Sequence, residues 1–225
     1  MENKDTKVLS FWVSPYGLRV VWALKLKGVE YEYIEEDIFN KSNLLLQMNP
    51  VHKKVPVLIH HHKPICESLA IMEYIDETWT QYPLMPQEPH QRALTRFWSS
   101  FADEKVAHAA VNAMMFSGDE KKNNAENAKE AMEKIEELIK GKKFFGGENI
   151  GYLDLVLGWI SYFLPVMEEA GNFHIIDPLK FPAISSWKKN FLDHPIIKDT
   201  PPPRDKTLHY LQSLIIDFAS KSSGQ

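Results

Sequence analysis

The sequence predicts two domains of different class, an α/β domain in the order β-α-β, short helix, β-β-α, followed by an all-helical domain. Three observations carry this. In the first eighty or so residues, short apolar runs alternate with turn residues, and strand-like and helix-like spacings take turns. Tyr82 to Pro89 then holds three prolines in seven residues, a stiff, non-helical connector. Beyond it the apolar spacing is helical throughout, punctuated by proline and glycine. The expected domains are 1–81 and 90–225, with 82–89 as linker.

Taken in order, Val8 to Val13 reads as a buried strand and Ser14-Pro15-Tyr16-Gly17 as a turn. Leu18 to Lys27 reads as a helix with Val20, Val21, Leu24 and Leu26 on its apolar face, and Gly28 is a natural C-terminal stop. Val29 to Ile34 alternates as a second strand, completing a βαβ unit. Lys41 to Met48 is a short helix ended by Asn49-Pro50. Val55 to Ile59 is a third strand, His60-His61-His62 a hairpin turn and Lys63 to Cys66 the return strand. Ser68 caps a helix running to about Thr78, with Leu69, Met72 and Ile75 at helical spacing. After the linker, residues 91–116, 123–140, 154–170, 183–193 and 205–219 read as helices, and the tail from Ser220 to Gln225 as disordered.

The composition narrows the function classes. Of 225 residues, 44% are apolar and 25% charged, enough for a real core. The net charge of −4 gives no electrostatic case for nucleic acid. Lys or Arg interrupts every apolar run, so no membrane span is expected. The MENKDTKV start is polar and charged, and no secretory leader is expected there. Cys66 is the one cysteine, which rules out an internal disulfide and fits a reducing, cytosolic setting.

Ser14 stands where a strand ends and a helix begins. Backbone N–H groups and the helix dipole favour an anion there. Its hydroxyl can cap the helix or donate outwards. Nucleophilic serine chemistry does not fit, because no Gly-x-Ser-x-Gly elbow and no placed His-Asp pair accompany it. Donation to a thiolate does fit in magnitude. Lowering a thiol pKa by about 2 units needs roughly 2.7 kcal/mol. A hydrogen bond to a charged group supplies roughly 1.5–3 kcal/mol, and a helix N-terminus about 0.3–1 kcal/mol.

Further anchors suit a small peptide. Glu67-Ser68 opens a helix after a strand, so Ser68 and the following N–H groups suit a carboxylate and Glu67 an α-amino group. Lys41 and Lys54 can reach a second carboxylate. Val55-Pro56 opens a strand, and a cis bond there turns the Val55 N–H and C=O outwards, where an extended ligand pairs as an added strand. A peptide with a central cysteine and carboxylates at both ends, such as glutathione, fits the set.

These residues resemble a soluble glutathione transferase of the plant tau class. The resemblance rests on Phe11-Trp12-Val13-Ser14-Pro15-Tyr16, Asn40-Lys41-Ser42, Asn49 to Leu58, Pro64-Ile65-Cys66-Glu67-Ser68, Arg96-Phe97-Trp98, Phe144-Phe145-Gly146-Gly147 and Gly151-Tyr152-Leu153-Asp154. It covers nearly the whole chain. It implies a thioredoxin-like first domain, a homodimer, and addition of the glutathione thiolate to hydrophobic electrophiles, with glutathione as co-substrate and no other cofactor. By position, Ser14 is the activating hydroxyl, and Lys41, Lys54, Val55 (through its backbone), Glu67 and Ser68 hold glutathione. Gly151 to Asp154 is the family's helix-capping segment. The family's electrophile pocket lies between the domains. Here it takes Phe11 and Tyr16, with Ala107, Val111, Met114 and Phe163 from the helical domain.

Other features carry less. His60-His61-His62 lacks a matching metal-ligand spacing, so a solvated loop is expected and no metal. Cys66 is expected as a buried structural thiol. Three functions compete: conjugation with a side activity on organic hydroperoxides; a ligandin-like carrier of phenolics or hormones in the interdomain cleft; and a thiol-exchange partner. The last is disfavoured because serine occupies the turn where redox relatives place cysteine.

Overall fold

Backbone pairing in the first part of the chain builds a four-stranded sheet. The structure, a computed structural model, describes residues 5–222. Strands β1 (Thr6–Ser10), β2 (Glu32–Glu35), β3 (Val57–His60) and β4 (Lys63–Cys66) lie in the order β2-β1-β3-β4. The β1–β2 pair is parallel, and β1–β3 and β3–β4 are antiparallel. Helices α1 (Pro15–Leu26), α2 (Asn43–Met48) and α3 (Ser68–Thr78) complete this unit. Leu9, Val57 and Ile59 pack with Leu45 of α2 on one face. Val8 and Leu58 pair on alternate positions, so they point to the other face, where α1 and α3 pack.

Strand β1 ends three residues before the expected Val13. Its last pairing is Ser10 with Glu35, and the Trp12 N–H donates to the Glu35 side chain at 2.9 Å instead of to a strand. Strand β2 starts later than Val29 because α1 takes the Val29 N–H. Gly28, at φ +67°, donates to Lys25 O, and Val29 donates to Leu24 O at 2.9 Å, the paired bonds of a Schellman stop. Strand β3 extends through His60, which pairs with Lys63. The hairpin turn is therefore His61-His62 alone, both at positive φ.

A buried ion pair closes the first unit. Lys27, 2% exposed, reaches Asp76 at 2.5 Å. The Asp76 carboxylate also accepts the Leu84 and Met85 N–H groups at 2.7 and 3.0 Å, and Gln81 donates to Lys27 O at 2.8 Å. The ends of α1 and α3 and the chain up to Met85 are thus fastened at one point. Contacts divide the chain into compact units at Met85 and Pro86.

The second unit is helical, and among the described residues its only β feature is an isolated bridge between Phe144 and Gly147. Helix α4 (Pro89–Phe101) starts within the expected linker, because Pro89 suits the first helical position and Glu88 caps His90 and Gln91 at 2.8 Å each. The expected single helix 91–116 passes from α4 through a π-helical segment (Ala102–Ala107) into α5 (His108–Met115). Helix α6 (Gly118–Ile139) starts five residues early. The expected helix 154–170 is two, α7 (Tyr152–Leu157) and α8 (Trp159–Gly171), divided at Gly158, whose carbonyl accepts the Ser161 hydroxyl at 2.6 Å. Helices α9 (Pro182–Leu192) and α10 (Arg204–Ser222) follow. Residues 220–222, expected to be disordered, continue α10, and 223–225 lie outside the described residues. Among the described residues, no helix is long and apolar enough to cross a membrane.

Two buried carboxylates organise this unit. Glu136 of α6 accepts the Ala183 and Ile184 N–H groups at 2.8 Å each, capping α9 from outside. Asp154, fully buried, accepts Phe145 N–H at 2.8 Å, Gly146 N–H at 3.0 Å, Gly151 N–H at 2.8 Å and Trp187 Nε1–H at 2.7 Å. Burial pushes its carboxyl up to about 6, against the four hydrogen bonds, which all favour the anion.

Removing a buried partner strands the groups it satisfied. Asp76→Ala leaves the Lys27 ammonium buried without its carboxylate and is expected to cost about 3–5 kcal/mol in chemical denaturation. Asp154→Ala leaves four donors without their acceptor, the Gly151 amide and the Trp187 indole among them buried, and is expected to cost at least about 3 kcal/mol by the same measurement.

Candidate active site

Strand register decides which loops meet. Leu9 pairs with Val57, and Val57 with Cys66. The exit of β1, the entry of β3 and the exit of β4 therefore lie at one end of the sheet. Ser10 pairs with Glu35 in parallel, so β2 also exits there. The loop before α1, the approach to β3, the start of α3 and the chain leading to Lys41 are thus brought to one edge.

Ser14 is the N-cap of α1. Its Oγ accepts Gly17 N–H at 3.1 Å, and its own N–H donates to Phe11 O at 2.8 Å. A hydroxyl has one proton to donate, and capping uses an acceptor lone pair. The cap therefore leaves the O–H available to an outside anion at the positive end of a twelve-residue helix. Pro15 fits the first helical position. Gly17 leaves room for Ser10, because a Cβ there would meet Ser10 Oγ at 1.9 Å and force that hydroxyl to turn. Phe11 and Trp12 contact edge to face, 5.9 Å between centroids, and Tyr16 is 37% exposed.

The Val55-Pro56 bond is cis. Pairing starts at Val57, so Val55 stands outside the ladder, at the edge where Ser14 lies. Asn49, buried, holds this approach: Nδ2 donates to Lys54 O at 2.9 Å, and Oδ1 accepts His52 N–H at 3.1 Å. In the sequence Asn49 reads as a helix stop and as part of the Asn49 to Leu58 motif; the Asn-Pro step is the available sign of a side chain bonding its own loop.

Helix α3 begins differently from expectation. Ser68 is its first residue, not its cap; the cap position is Glu67, at φ +70° and without a side-chain cap bond. Glu67 is exposed, with Oε1 3.9 Å from His52 Nε2. Ser68 is buried, and its Oγ accepts from Arg19 Nη1 at 3.3 Å. Lys41 and Lys54 are exposed. Lys41 precedes α2 instead of opening it. Ser42 is the cap, accepting Leu45 N–H at 3.0 Å and donating to buried Glu36 at 2.7 Å.

In the second unit, Ala107, Met114 and Phe163 are buried and Val111 is 43% exposed. Cys66 is half-buried, not fully buried, with Sγ 3.6 Å from Met48 O. Burial first, then the Glu67 charge, pushes its thiol up, away from the reactive thiolate. His60 Nδ1 lies 2.7 Å from Tyr74 OH. Among the described residues, no cluster of three or more His, Cys, Asp or Glu side chains suits a metal ion.

The model for the glutathione S-transferase N-terminal domain matches residues 4–77, and that for the C-terminal domain matches 78–195. A probable glutathione S-transferase of Glycine max is 46% identical over 213 residues, 94% of each chain. Glutathione S-transferase U7 of Arabidopsis thaliana is 42% identical over 221 residues, covering 98% of this chain and 97% of that one. Among solved structures, a tau class glutathione S-transferase from mango, Mangifera indica, superposes with TM-score 0.87 at 40% identity, covering 93% of this chain and 98% of that one. Rice GST1 in complex with glutathione gives 0.86 at 31% identity, covering 95% and 99%. A strand-to-helix serine, a cis-proline approach and a helix start share one sheet edge in a chain that its relatives match over more than nine-tenths of its length, and the chain belongs to the glutathione S-transferase family, in its plant tau class.

Proposed function

We propose that this chain conjugates glutathione to hydrophobic electrophiles, with the Ser14 hydroxyl stabilising the thiolate. The observation that carries the reading is the Ser14 cap: Gly17 N–H takes a lone pair, and the O–H remains to donate at the helix N-terminus. Glutathione gives its thiol proton to solvent, and the thiolate forms a C–S bond at the electrophilic carbon. An aryl halide then loses halide; an activated alkene takes up a proton. Val55 main-chain groups pair with the cysteinyl unit, Ser68 and the α3 start receive one carboxylate, and Glu67 meets the α-amino group. Lys41 and Lys54 face the other carboxylate. Phe11 and Tyr16 supply apolar surface beside the thiol. Glutathione is consumed as co-substrate, and the chemistry asks for no other cofactor.

The same thiolate accounts for hydroperoxide reduction. It attacks the terminal oxygen, releases alkoxide that takes a proton, and leaves a sulfenic acid that a second glutathione converts to disulfide and water. A carrier role for phenolics or hormones competes with catalysis, and micromolar flavonoid binding with negligible conjugation would favour it.

We also propose a homodimer. Its support is the aromatic ridge of α4, where Phe97 is 58% and Leu94 37% exposed, and Phe97, Trp98 and Phe101 contact one another within 6.5 Å.

Ser14→Ala is expected to lose at least about tenfold in turnover of a chromogenic aryl halide, as removal of a hydrogen bond to an anion implies, while its KM for glutathione stays within about threefold of wild type. The thiolate absorbance of bound glutathione should titrate at higher pH in this variant. Full activity in Ser14→Ala would overturn the assignment. Light scattering should give twice the 26.0 kDa chain mass, and Phe97→Glu should shift it towards one chain.

A further inference from the structure

Glu36 follows β2 directly and is 2% exposed. A carboxylate out of water is costly unless its oxygens are satisfied. Leucine or methionine would fill a buried position without that cost. Both Glu36 oxygens go to one residue. Oε1 accepts the Ser42 hydroxyl at 2.7 Å, and Oε2 accepts the Ser42 N–H at 3.4 Å. The Ser42 oxygen in turn accepts Leu45 N–H at 3.0 Å, so this hydroxyl is engaged both as donor and as acceptor. Glu36 also donates its own N–H to Ser10 O at 2.8 Å. Inside the loop, Asp37 turns the chain: its side chain accepts Phe39 N–H at 2.9 Å and its carbonyl accepts Asn40 N–H at 3.2 Å. Lys41 is the residue left between that turn and the Ser42 cap, and it is exposed.

We infer that Glu36 is a positioning residue for glutathione, acting through Lys41. This rests on the assignment of the glycyl carboxylate of glutathione to Lys41 and Lys54. The Glu36 side chain closes residues 36–42 into a loop, and its N–H ties that loop to Ser10, four residues before Ser14. The Lys41 main chain is thereby set against the strand that leads to the thiol site. An open loop would have to be ordered when the peptide binds, at the expense of affinity. The charge matters because a charge-assisted bond to a hydroxyl is stronger than a neutral one. Glu36 touches no part of the peptide in this scheme. Its whole effect passes through one exposed cation, which bounds it. An exposed ion pair contributes at most about fivefold in affinity, so the loss on removing Glu36 cannot exceed the loss on removing Lys41.

The test is calorimetric binding of two peptides, glutathione and its glycyl ethyl ester, which keeps the length but not the second carboxylate. The proteins are wild type, Glu36→Met, Glu36→Gln, Lys41→Ala and the double Glu36→Met with Lys41→Ala. Glu36→Met should weaken glutathione by about threefold at low salt, and Lys41→Ala by about fivefold at most. Both losses should shrink at high salt, where an exposed pair is screened. Binding of the ester should stay within about 1.5-fold of wild type in every variant, because the pair at stake is already absent. Glu36→Gln, which keeps an acceptor for Ser42, should retain part of the affinity. The double should bind as Lys41→Ala alone does, because both changes act on one contact. If Glu36→Met does not fold, Ser42→Ala, which removes the bonded hydroxyl, takes its place with the same pattern expected. Equal weakening of both peptides, an additive loss in the double, or wild-type affinity for glutathione in Glu36→Met overturns the role of Glu36 and leaves the functional assignment standing. Failure of the wild-type protein to bind glutathione overturns both.

Discussion

Main-chain pairing of Leu9 with Val57, and of Val57 with Cys66, is the constraint on which the candidate site depends. None of these residues is among those placed in the candidate site. Their register alone brings the end of one strand, the start of another and the end of a third to a single edge. Each loop then contributes something different: a capping hydroxyl at Ser14, main-chain groups at Val55, and a helix start at Ser68. A slip of one residue would turn every side chain of β3 to the other face and would separate the three.

Charge out of water recurs where segments distant in sequence must be held together. Lys27 and Asp76 join two helix ends to the chain before the second unit. Glu136 caps a helix that begins 46 residues later in the chain, at Pro182. Arg19 reaches from α1 to the first residue of α3. Such groups are satisfied in one arrangement and costly in others. An apolar contact in the same places would tolerate sliding. The first and third of these contacts both tie α1 to α3, the first at their C-terminal ends and the third beside the candidate site.

Much of this was legible in the sequence, for reasons that are local. Gly28 marks a helix stop because only a positive φ serves there, and Ser14 before Pro15 marks a helix start. The order of strands and helices in the first unit follows from period and punctuation. The differences arise where a distant side chain decides. Val13 fits a strand pattern, yet the strand ends at Ser10, because the Glu35 carboxylate takes the next available N–H. Ser68 has the chemistry of a cap, but Glu67 occupies the cap position and Arg19 claims the hydroxyl. Lys27 and Arg19 look like surface cations at their positions, and nothing nearby in the chain announces their partners 49 residues on. Asn49, a helix stop in pattern, also braces the segment leading to Val55.

The loop from Phe145 to Gly151 contains two glycines in sequence and little regular structure, and such loops ordinarily breathe. Here three of its amides donate to one carboxylate, which also holds the Trp187 indole. No amide of the set opens to solvent without loosening Asp154 from the rest. Hydrogen exchange at Phe145, Gly146 and Gly151 should accordingly be slow for a loop and should occur at a common rate, shared by the indole proton. An irregular stretch of chain then reports the opening of the helical unit as a whole, through a single side chain.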